Sequence, residues 1–308
     1  MKKINLFLLA ILTLVAVGPF LVACENEDED IKQGPQITLT TNKKVGETIT
    51  LRFSEDNMPT EVIGATKISE EEFDMDGGVF EAGVVDVTYT LTSQTVIIKG
   101  NIICFRCWDN GLTVLDVSRC PDLILLQCDG NQLTQLDVSK NMKLERLSCS
   151  NNNITTLNVS KNSELKTLHC YHNKLTSLNI GNNPKLNTLN CEHNKIKAAE
   201  MSKIINALPD WNGKRIETDW GYAQSASLYI ISTDSSEENE ISEADIKIAQ
   251  DKNWSVEYPP HRFPLNLRIG GFFVLCPILI IGEKGRFGNF AIWLYLCRAN
   301  NELSRELD

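Results

Sequence analysis

Basic residues are scarce in this 308-residue chain, which has 30 Lys and Arg against 40 Asp and Glu and a formal net charge of −10. Non-specific nucleic-acid binding relies on Lys and Arg to neutralise phosphates, so the acidic balance predicts no nucleic-acid partner. Long hydrophobic runs are missing too. The apolar stretches at 6–17, 269–281 and 290–297 are shorter than the about 20 residues of a membrane-spanning helix.

The motifs of common catalytic sites are also missing. The sequence has no G-x-S-x-G, no H-E-x-x-H and no phosphate-binding glycine loop with its lysine. No two carboxylates are fixed on one strand or helix face in the manner of a glycosidase. We therefore predict a non-catalytic protein that needs no cofactor.

An internal repeat of 21 residues dominates the middle of the chain. Apolar residues recur at this step from Ile102 to Leu186 and from Phe105 to Leu189, so that the repeat reads L-x-x-L-x-C-x-x-N-x-L. Two polar ladders keep the same step: Cys107, Cys128, Cys149, Cys170 and Cys191, and Asn110, Asn131, Asn152, Asn173 and Asn194. Each turn should supply one strand, with neighbouring turns about 4.8 Å apart.

The leucines and ladder cysteines are predicted to point inward and to share one continuous core. Each ladder asparagine should bond backbone groups of its own turn and of the next repeat, which would otherwise be buried unpaired. Stacked inward cysteines lie at or beyond the usual disulfide separation, so we expect buried free thiols. Cys104 and Cys107 form a C-x-x-C pair, but no second such pair exists to complete a zinc site.

The repeat resembles the leucine-rich repeat, with cysteine in place of a strand leucine. Its period and cysteine ladder are similar to those of the cysteine-ladder internalins and of leucine-rich-repeat lipoproteins of gut Bacteroidota, over roughly 34–258. The resemblance implies an α/β-type, β-dominated repeat solenoid, short and right-handed. A β-rich N-terminal cap and a small α/β C-terminal cap should close its ends.

The chain is accordingly divided into six segments. These are a lipoprotein signal peptide at 1–23, a lipidated cysteine with an acidic tether at 24–35, a β-rich cap at 36–100, leucine-rich repeats at 101–208, a C-terminal cap at 209–258 and an atypical hydrophobic tail at 259–308. Strands are expected at 37–41, 48–53 and 84–91 of the first cap. Because Leu91 and Val96 fall one period before Leu112 and Val117, the first cap should run into the solenoid as a degenerate first turn.

On the C-terminal side, helices are expected at 198–208, where the repeat segment ends, and from Ser242 to about Lys252, with strands at 227–233 and 254–258. The tail differs in composition from the rest of the chain. Membrane contact, a packed hairpin and translation outside the original reading frame are the three interpretations of it.

The start of the chain has the features of an export signal. Lys2 and Lys3 precede the apolar stretch at 6–17, and the segment then ends in Leu21-Val22-Ala23-Cys24, which resembles the bacterial lipobox. That resemblance implies lipid attachment at Cys24; an ordinary signal peptide with an incidental cysteine is the alternative. The acidic run at 25–30 resembles the surface-export signal of Bacteroidota lipoproteins and implies an outer-membrane lipoprotein at the cell surface, with the periplasmic face as second choice.

In the resembling proteins the non-apolar repeat positions line the concave sheet, and here they form four columns, which we call the concave face. The predicted ligand contacts are Arg106, Trp108, Asp109, Gln127, Asp129, Arg146, Ser148, His169, Tyr171, His172, Asn190, Glu192 and His193. The same columns hold Cys104, Leu125, Ser150, Thr167, Thr188, Gly130 and Asn151, all expected to be exposed. Exposed aromatic rings beside amides and charges suit a macromolecular ligand.

Three functions fit these columns. The first is binding of a protein partner in the manner of an adhesin or internalin. The second is glycan capture for a polysaccharide uptake system, which would depend on Trp108 or Tyr171, and the third is a structural envelope role. His169, His172, His193 and Glu192 are also a weak candidate for a zinc site, against the simpler interpretation of solvated histidines.

Overall fold

The structure is a computed structural model that describes residues 34–73, 83–218, 221–223, 225–231, 236–256, 266–269 and 272–275. The predicted signal peptide, Cys24, nearly all of the acidic tether and most of the tail lie outside these residues. The chain divides into two compact units, Met1–His261 and Arg262–Asp308. Among the described residues there is no helix long and apolar enough to cross a membrane.

The N-terminal cap consists of antiparallel strands with alternating burial. They are β1 (Gln36–Thr41), β2 (Thr48–Ser54), β3 (Glu61–Ile63), β4 (Ala65–Phe73), β5 (Val84–Leu91) and β6 (Thr95–Lys99), with a short 3-10 turn at Glu55–Asn57. In β1 the inward residues Ile37 and Leu39 are fully buried. The three strands expected in this cap are therefore confirmed, with bounds extended by at most one residue.

The repeats supply five three-residue strands to a parallel sheet. These are β7 (Cys104–Arg106), β9 (Leu125–Gln127), β11 (Arg146–Ser148), β13 (Thr167–His169) and β14 (Thr188–Asn190). Leu147 pairs with Leu126 on one side and with Leu168 on the other, so the register of the sheet equals the repeat period. This register confirms the predicted fold class: the repeats form a β-dominated solenoid of the leucine-rich-repeat type.

The other side of each turn carries a second, shorter set of strands. They are β8 (Leu112–Asp116), β10 (Leu136–Asp137) and β12 (Leu157–Asn158), and an isolated parallel bridge joins Asn158 to Asn179. β10 and β12 pair in parallel, again in register with the repeat. The turn thus has two strand-bearing sides with the leucine and cysteine core between them.

The N-terminal cap joins both sides of the solenoid through antiparallel pairs. β2 pairs with β7 and β1 pairs with β8, so that each cap sheet continues into one side of the repeats. The prediction that the first cap runs into the solenoid as a degenerate first turn of the repeat is wrong. The strands that contain Leu91 and Val96 pair antiparallel with β2, β4, β1 and β3, because hairpin partners within the cap, rather than stacked repeats, take up their backbone groups.

The C-terminal cap extends the same sheet with two further parallel strands. Its elements are α1 (Ala198–Ala207), β15 (Ile216–Thr218), β16 (Gly221–Ala223), β17 (Ala226–Tyr229), α2 (Glu243–Asp251) and β18 (Trp254–Val256). β17 pairs with β14 and β18 pairs with β17, which completes a ten-stranded sheet. Both predicted helices are confirmed, and the Ser242 hydroxyl caps α2 by accepting the Asp245 N–H at 3.1 Å.

The second unit contains one described element pair. β19 (Asn266–Ile269) and β20 (Phe272–Leu275) form an antiparallel hairpin. This hairpin starts before the first apolar run of the tail and ends inside it. It does not join the two apolar runs at 269–281 and 290–297.

The cysteine ladder is buried and its thiols are free, as predicted. Burial raises the pKa of Cys149 and Cys170 far above the ordinary thiol value, and it raises the pKa of Cys191 to about 12. The thiols therefore act as small apolar core groups at neutral pH. Cys104 and Cys120 are also free and buried, so the C-x-x-C pair is not bridged.

The asparagine ladder ties successive turns together through backbone groups; its bonds within each turn confirm the prediction, but the second turn that it bonds is the preceding one rather than the next. The Asn152 amide donates to the carbonyls of Cys128 at 3.0 Å, Cys149 at 3.1 Å and Ser150 at 3.1 Å, and its Oδ1 accepts from Leu133 N–H at 3.0 Å. The side chain of Asn152 thus provides hydrogen-bond partners for buried backbone groups of two successive turns.

The ladder is connected to a cap at each end. At the first end the Asn110 amide donates to Thr50 O in β2 at 2.8 Å, and its Oδ1 accepts from Thr50 N–H at 3.1 Å. At the other end Asn239 takes the place of the next asparagine. It donates to Cys191 O at 2.7 Å and accepts from Ile196 N–H at 2.9 Å, although it does not keep the 21-residue step.

A second asparagine ladder lies on the opposite side of the turn and was not predicted. Asn141, Asn162 and Asn183 are buried, and each donates to two backbone carbonyls of the preceding turn. Cys120 occupies the same place one period earlier. The step of 21 residues was visible in the sequence, but these asparagines follow an exposed Lys or Asn and resemble surface turn residues.

Candidate functional site

The concave face is built by the outward residues of β7, β9, β11, β13 and β14 and by the residues that follow each strand. Parallel pairing brings Gln127, Ser148 and His169 side by side on consecutive strands, one strand spacing apart. Trp108, Asp129, Tyr171, Glu192 and the remaining predicted contacts lie on the same side. The structure therefore brings the predicted residues together as one strip.

Four members of the columns are buried rather than exposed, which corrects the prediction. Cys104 and Leu125 are apolar register partners on β7 and β9, and they are 9% and 2% exposed because each covers the other. Ser150 is fully buried. Arg106 is 5% exposed, and its Nε donates to Gln127 Oε1 at 2.9 Å. Arg106 therefore contributes charge to the face rather than contact area.

The first end of the face is a small cleft of about 270 Å³ between the repeats and the N-terminal cap. Arg52 of β2 forms a two-point ion pair with Asp86 of β5, with Nη2 donating to Oδ2 at 2.7 Å. The Arg52 guanidinium lies 4.9 Å from the centroid of the Trp108 ring. Arg52 thus occupies one face of the indole, at the distance of a cation–π contact.

The middle of the face is polar and internally hydrogen-bonded. Asp129 Oδ1 accepts the Ser148 hydroxyl at 2.6 Å and the Ser150 N–H at 2.8 Å. The pKa of His169 is lowered chiefly by burial and further by the charge of Arg146, while Asp129 acts in the opposite direction. Burial therefore favours the uncharged form of the His169 ring on this face.

The far end of the face is a cluster of rings. The imidazoles of His172 and His193 are stacked, with centroids 4.0 Å apart and planes within 3°. Tyr171 meets His172 edge to face at 5.6 Å. The C-terminal cap supports the cluster, since the Glu237 carboxylate accepts the backbone N–H of His193 at 2.9 Å and Ser236 Oγ lies 3.3 Å from Nδ1 of the His193 ring.

The fourth column has a backbone requirement of its own. Asp109, Asn151, His172 and His193 have φ between 50° and 55°, and Gly130 in the same place has φ 66°. Glycine, asparagine, aspartate and histidine are the residues that adopt this left-handed conformation most readily. The two stacked histidines are therefore compatible with the fold for a local reason, which the spacing in the sequence did not reveal.

The weak zinc candidate gains no support from the described residues. Among them, no group of three or more His, Cys, Asp or Glu side chains is placed to hold a metal ion. The face-to-face stack of His172 and His193 explains part of this, since rings that stack present their nitrogens in parallel planes rather than toward one point.

Sequence reasoning missed the cap residues that complete both ends of the face. Arg52 and Asp86 come from antiparallel strands, and Ser236 and Glu237 come from a loop after β17. None of the four belongs to the repeat. Arg52 and Asp86 reach the face because the cap sheet that holds them joins the repeat strands through β2 and β7, and no spacing in the sequence marks that junction.

Comparisons with known proteins find similarity to solved structures over less than half of the chain. No family model matches the chain, and no curated protein matches it. Among solved structures, the functional domain of InlJ from Listeria monocytogenes, which includes a cysteine ladder, is 30% identical over 35% of this chain and 25% of that chain, with a TM-score of 0.31.

Two further structures are similar at lower identity. An internalin, InlF, from Listeria monocytogenes is 19% identical over 44% of this chain and 34% of that one, with a TM-score of 0.33. A leucine-rich-repeat protein from Leptospira interrogans is 20% identical over 47% of this chain and 34% of that one, with a TM-score of 0.34. The chain spans about a quarter to a third of the length of these proteins.

Proposed function

We propose that this chain is a surface-anchored, non-catalytic binding protein whose concave face binds another protein. The observation that carries the proposal is the ring cluster of Tyr171, His172 and His193, three partly or fully exposed rings already held in contact with one another. Aromatic side chains dominate protein hot spots, and rings that are ordered beforehand lose little entropy on binding.

The charges of the face favour a protein over a glycan. Arg146, Asp129 and Glu192 distribute both signs along the strip, which suits the complementary charges of a protein interface. Sugar rings stack on open aromatic faces, whereas Arg52 occupies one face of Trp108. Glycan capture and a structural envelope role remain the competing functions.

The proposed anchor is a lipid at Cys24 in the outer membrane, with the protein at the cell surface. The sequence supports it through the basic start at Lys2 and Lys3, the apolar stretch at 6–17, the lipobox-like residues before Cys24 and the acidic run at 25–30. Metabolic labelling with a fatty-acid probe should mark the natural chain and fail to mark Cys24→Ala. Proteolysis of intact cells should remove the labelled chain from the surface; protection from protease would place it on the periplasmic face.

The binding proposal is tested with the full chain on protein and glycan arrays. The key variant is His172→Asn with His193→Asn, because asparagine keeps the left-handed backbone and removes both rings. We expect a protein ligand whose affinity falls by about tenfold or more in this variant and in Tyr171→Ala. Lys140→Ala, an exposed change on another side of the turn, is the matched control and should bind normally.

Other outcomes favour the competing functions. Glycan binding that is lost in Trp108→Ala or Tyr171→Ala would replace the proposal with glycan capture. No binding on either array by a folded sample would favour the structural role.

A further inference from the structure

A groove of about 910 Å³ lies on the side of the solenoid opposite the concave face. The second halves of four consecutive turns line it, including β8, β10 and β12. Its position has no overlap with the residues of the concave face. Whatever occupies the groove would therefore bind independently of a partner on that face.

One column of the groove repeats the same local structure in every turn. Asp116, Asp137, Asn158 and Asn179 each accept a backbone N–H two residues later through Oδ1, at 2.9, 2.9, 3.0 and 3.1 Å. This bond fixes the rotamer of each side chain. All four residues are exposed, so the second polar atom of each side chain is available to a ligand at little entropic cost.

The chemistry of the lining limits what the ligand can be. The lining residues include two carboxylates, amides, hydroxyls and leucines, but no Lys, Arg or aromatic residue. A phosphorylated or otherwise anionic polymer would meet only like charge here. A protein partner would find none of the aromatic or arginine anchors that dominate protein interfaces. A ligand rich in hydroxyl groups suits this lining, because a hydroxyl can both donate hydrogen bonds to the carboxylates and accept them from the amides.

The repeat sets the shape of the ligand. The parallel pairing of β10 with β12 and the bridge from Asn158 to Asn179 place equivalent groups one strand spacing apart, at about 4.8 Å. A linear chain of sugar rings advances by a comparable length for each ring. We propose that this groove binds a neutral, linear glycan along the axis of the solenoid, with about one sugar ring for each turn.

The test uses the full chain and neutral linear oligosaccharides of glucose, mannose, xylose and galactose in series of increasing length. Isothermal titration should find at least one series that binds, with affinity that rises with length up to the four turns that line the groove. Gln135→Arg with Thr156→Arg fills the groove at two exposed positions and should weaken binding about tenfold or more.

The matched control is Met142→Arg, which adds an arginine at a residue that is 61% exposed and outside the groove. It should bind as the natural chain does, and so should Tyr171→Ala on the concave face. Thermal unfolding followed by circular dichroism checks the fold of every variant, and Ser177→Arg at the far end of the groove repeats the test with one change.

Four results would overturn the proposal. They are no binding by any neutral series, equal binding by the groove variants, loss of binding in Tyr171→Ala, and tighter binding of oligogalacturonate, which is linear but anionic. Loss in Tyr171→Ala would assign the glycan to the concave face instead and would contradict the protein-binding proposal as well.

Discussion

Gly130 shows how strictly one position of the turn is constrained. Its φ is 66°, and a Cβ at this residue would lie 1.9 Å from Asp109 Oδ1 of the preceding turn. Gly130→Ala should therefore lower the free energy of unfolding by about 1–3 kcal/mol, through a strained backbone and a displaced carboxylate. Urea unfolding followed by circular dichroism measures the change.

The control uses the equivalent residue of the next turn. Asn151 already has φ 54°, so Asn151→Gly should be neutral or nearly so. Equal stability of Gly130→Ala and the natural chain would show that the left-handed position is not a constraint on the sequence.

The ladder asparagines should be among the most sensitive residues of the chain. Asn152→Ala leaves three buried carbonyls and one N–H without their side-chain partner, so we expect a loss of about 3 kcal/mol or more. Asn153→Ala, next to it and half-buried, should change stability by less than about 0.5 kcal/mol. Similar values for the two variants in denaturant titrations would contradict the role of the ladder.

Of the two strand pairs that join the first cap to the repeats, β2 with β7 is packed around two phenylalanines. Phe53 of β2 and Phe105 of β7 are both fully buried, with ring centroids 5.6 Å apart. Phe53→Ala should cost about 3–5 kcal/mol and should lower the unfolding midpoint of the repeats together with that of the cap. The Trp211 and Trp254 fluorescence of the opposite end reports whether one transition is retained.

Ile68→Ala in β4 serves as the control for that change. Ile68 is 57% exposed, so its truncation should have little effect. If Phe53→Ala left the transition of the repeats unchanged, the cap would be an independent folding unit.

At the level of elements, the sequence was most informative wherever structure is local or periodic. The 21-residue period predicted the strand register and the inward cysteines. The helical pattern of apolar residues predicted both helices on the C-terminal side, because a helix too is specified by neighbours at a fixed spacing. The pairings of β1 with β8 and of β2 with β7 join residues far apart in the chain, and no period announces them. For the same reason Arg52 and Glu237 could not be assigned to the binding face.

For the molecule as a whole, the buried cysteine ladder should make the folded state less stable as the pH rises into the alkaline range. An unfolded thiol has a pKa near 9.0, whereas burial holds the pKa of the ladder thiols above that value. Above pH 9 the unfolded chain loses protons that the folded chain retains, so the free energy of unfolding must fall as pH rises. Each ladder thiol contributes up to about 1.4 kcal/mol for each pH unit.

Urea titrations from neutral pH to above pH 10 measure this slope. Burial raises the pKa of Tyr89 to about 12, which adds to the decline in the same direction. Cys149→Ala should reduce the slope by about one thiol's share, whatever its effect at neutral pH. A free energy of unfolding that stays constant between pH 8 and pH 10 would contradict the buried-thiol account.

Asn239 has a consequence for how such a chain can change in length. Asn239 bonds the carbonyl of the last ladder cysteine and a backbone N–H that follows it, as each interior member does for the turn before it, so the last turn requires only backbone groups that every repeat presents. At the opposite end the backbone N–H and carbonyl of Thr50 bond the side chain of Asn110, the first asparagine of the ladder. Whole turns can therefore be added or removed between the two caps, so that duplication or deletion of one 21-residue repeat in the gene changes the length of both faces.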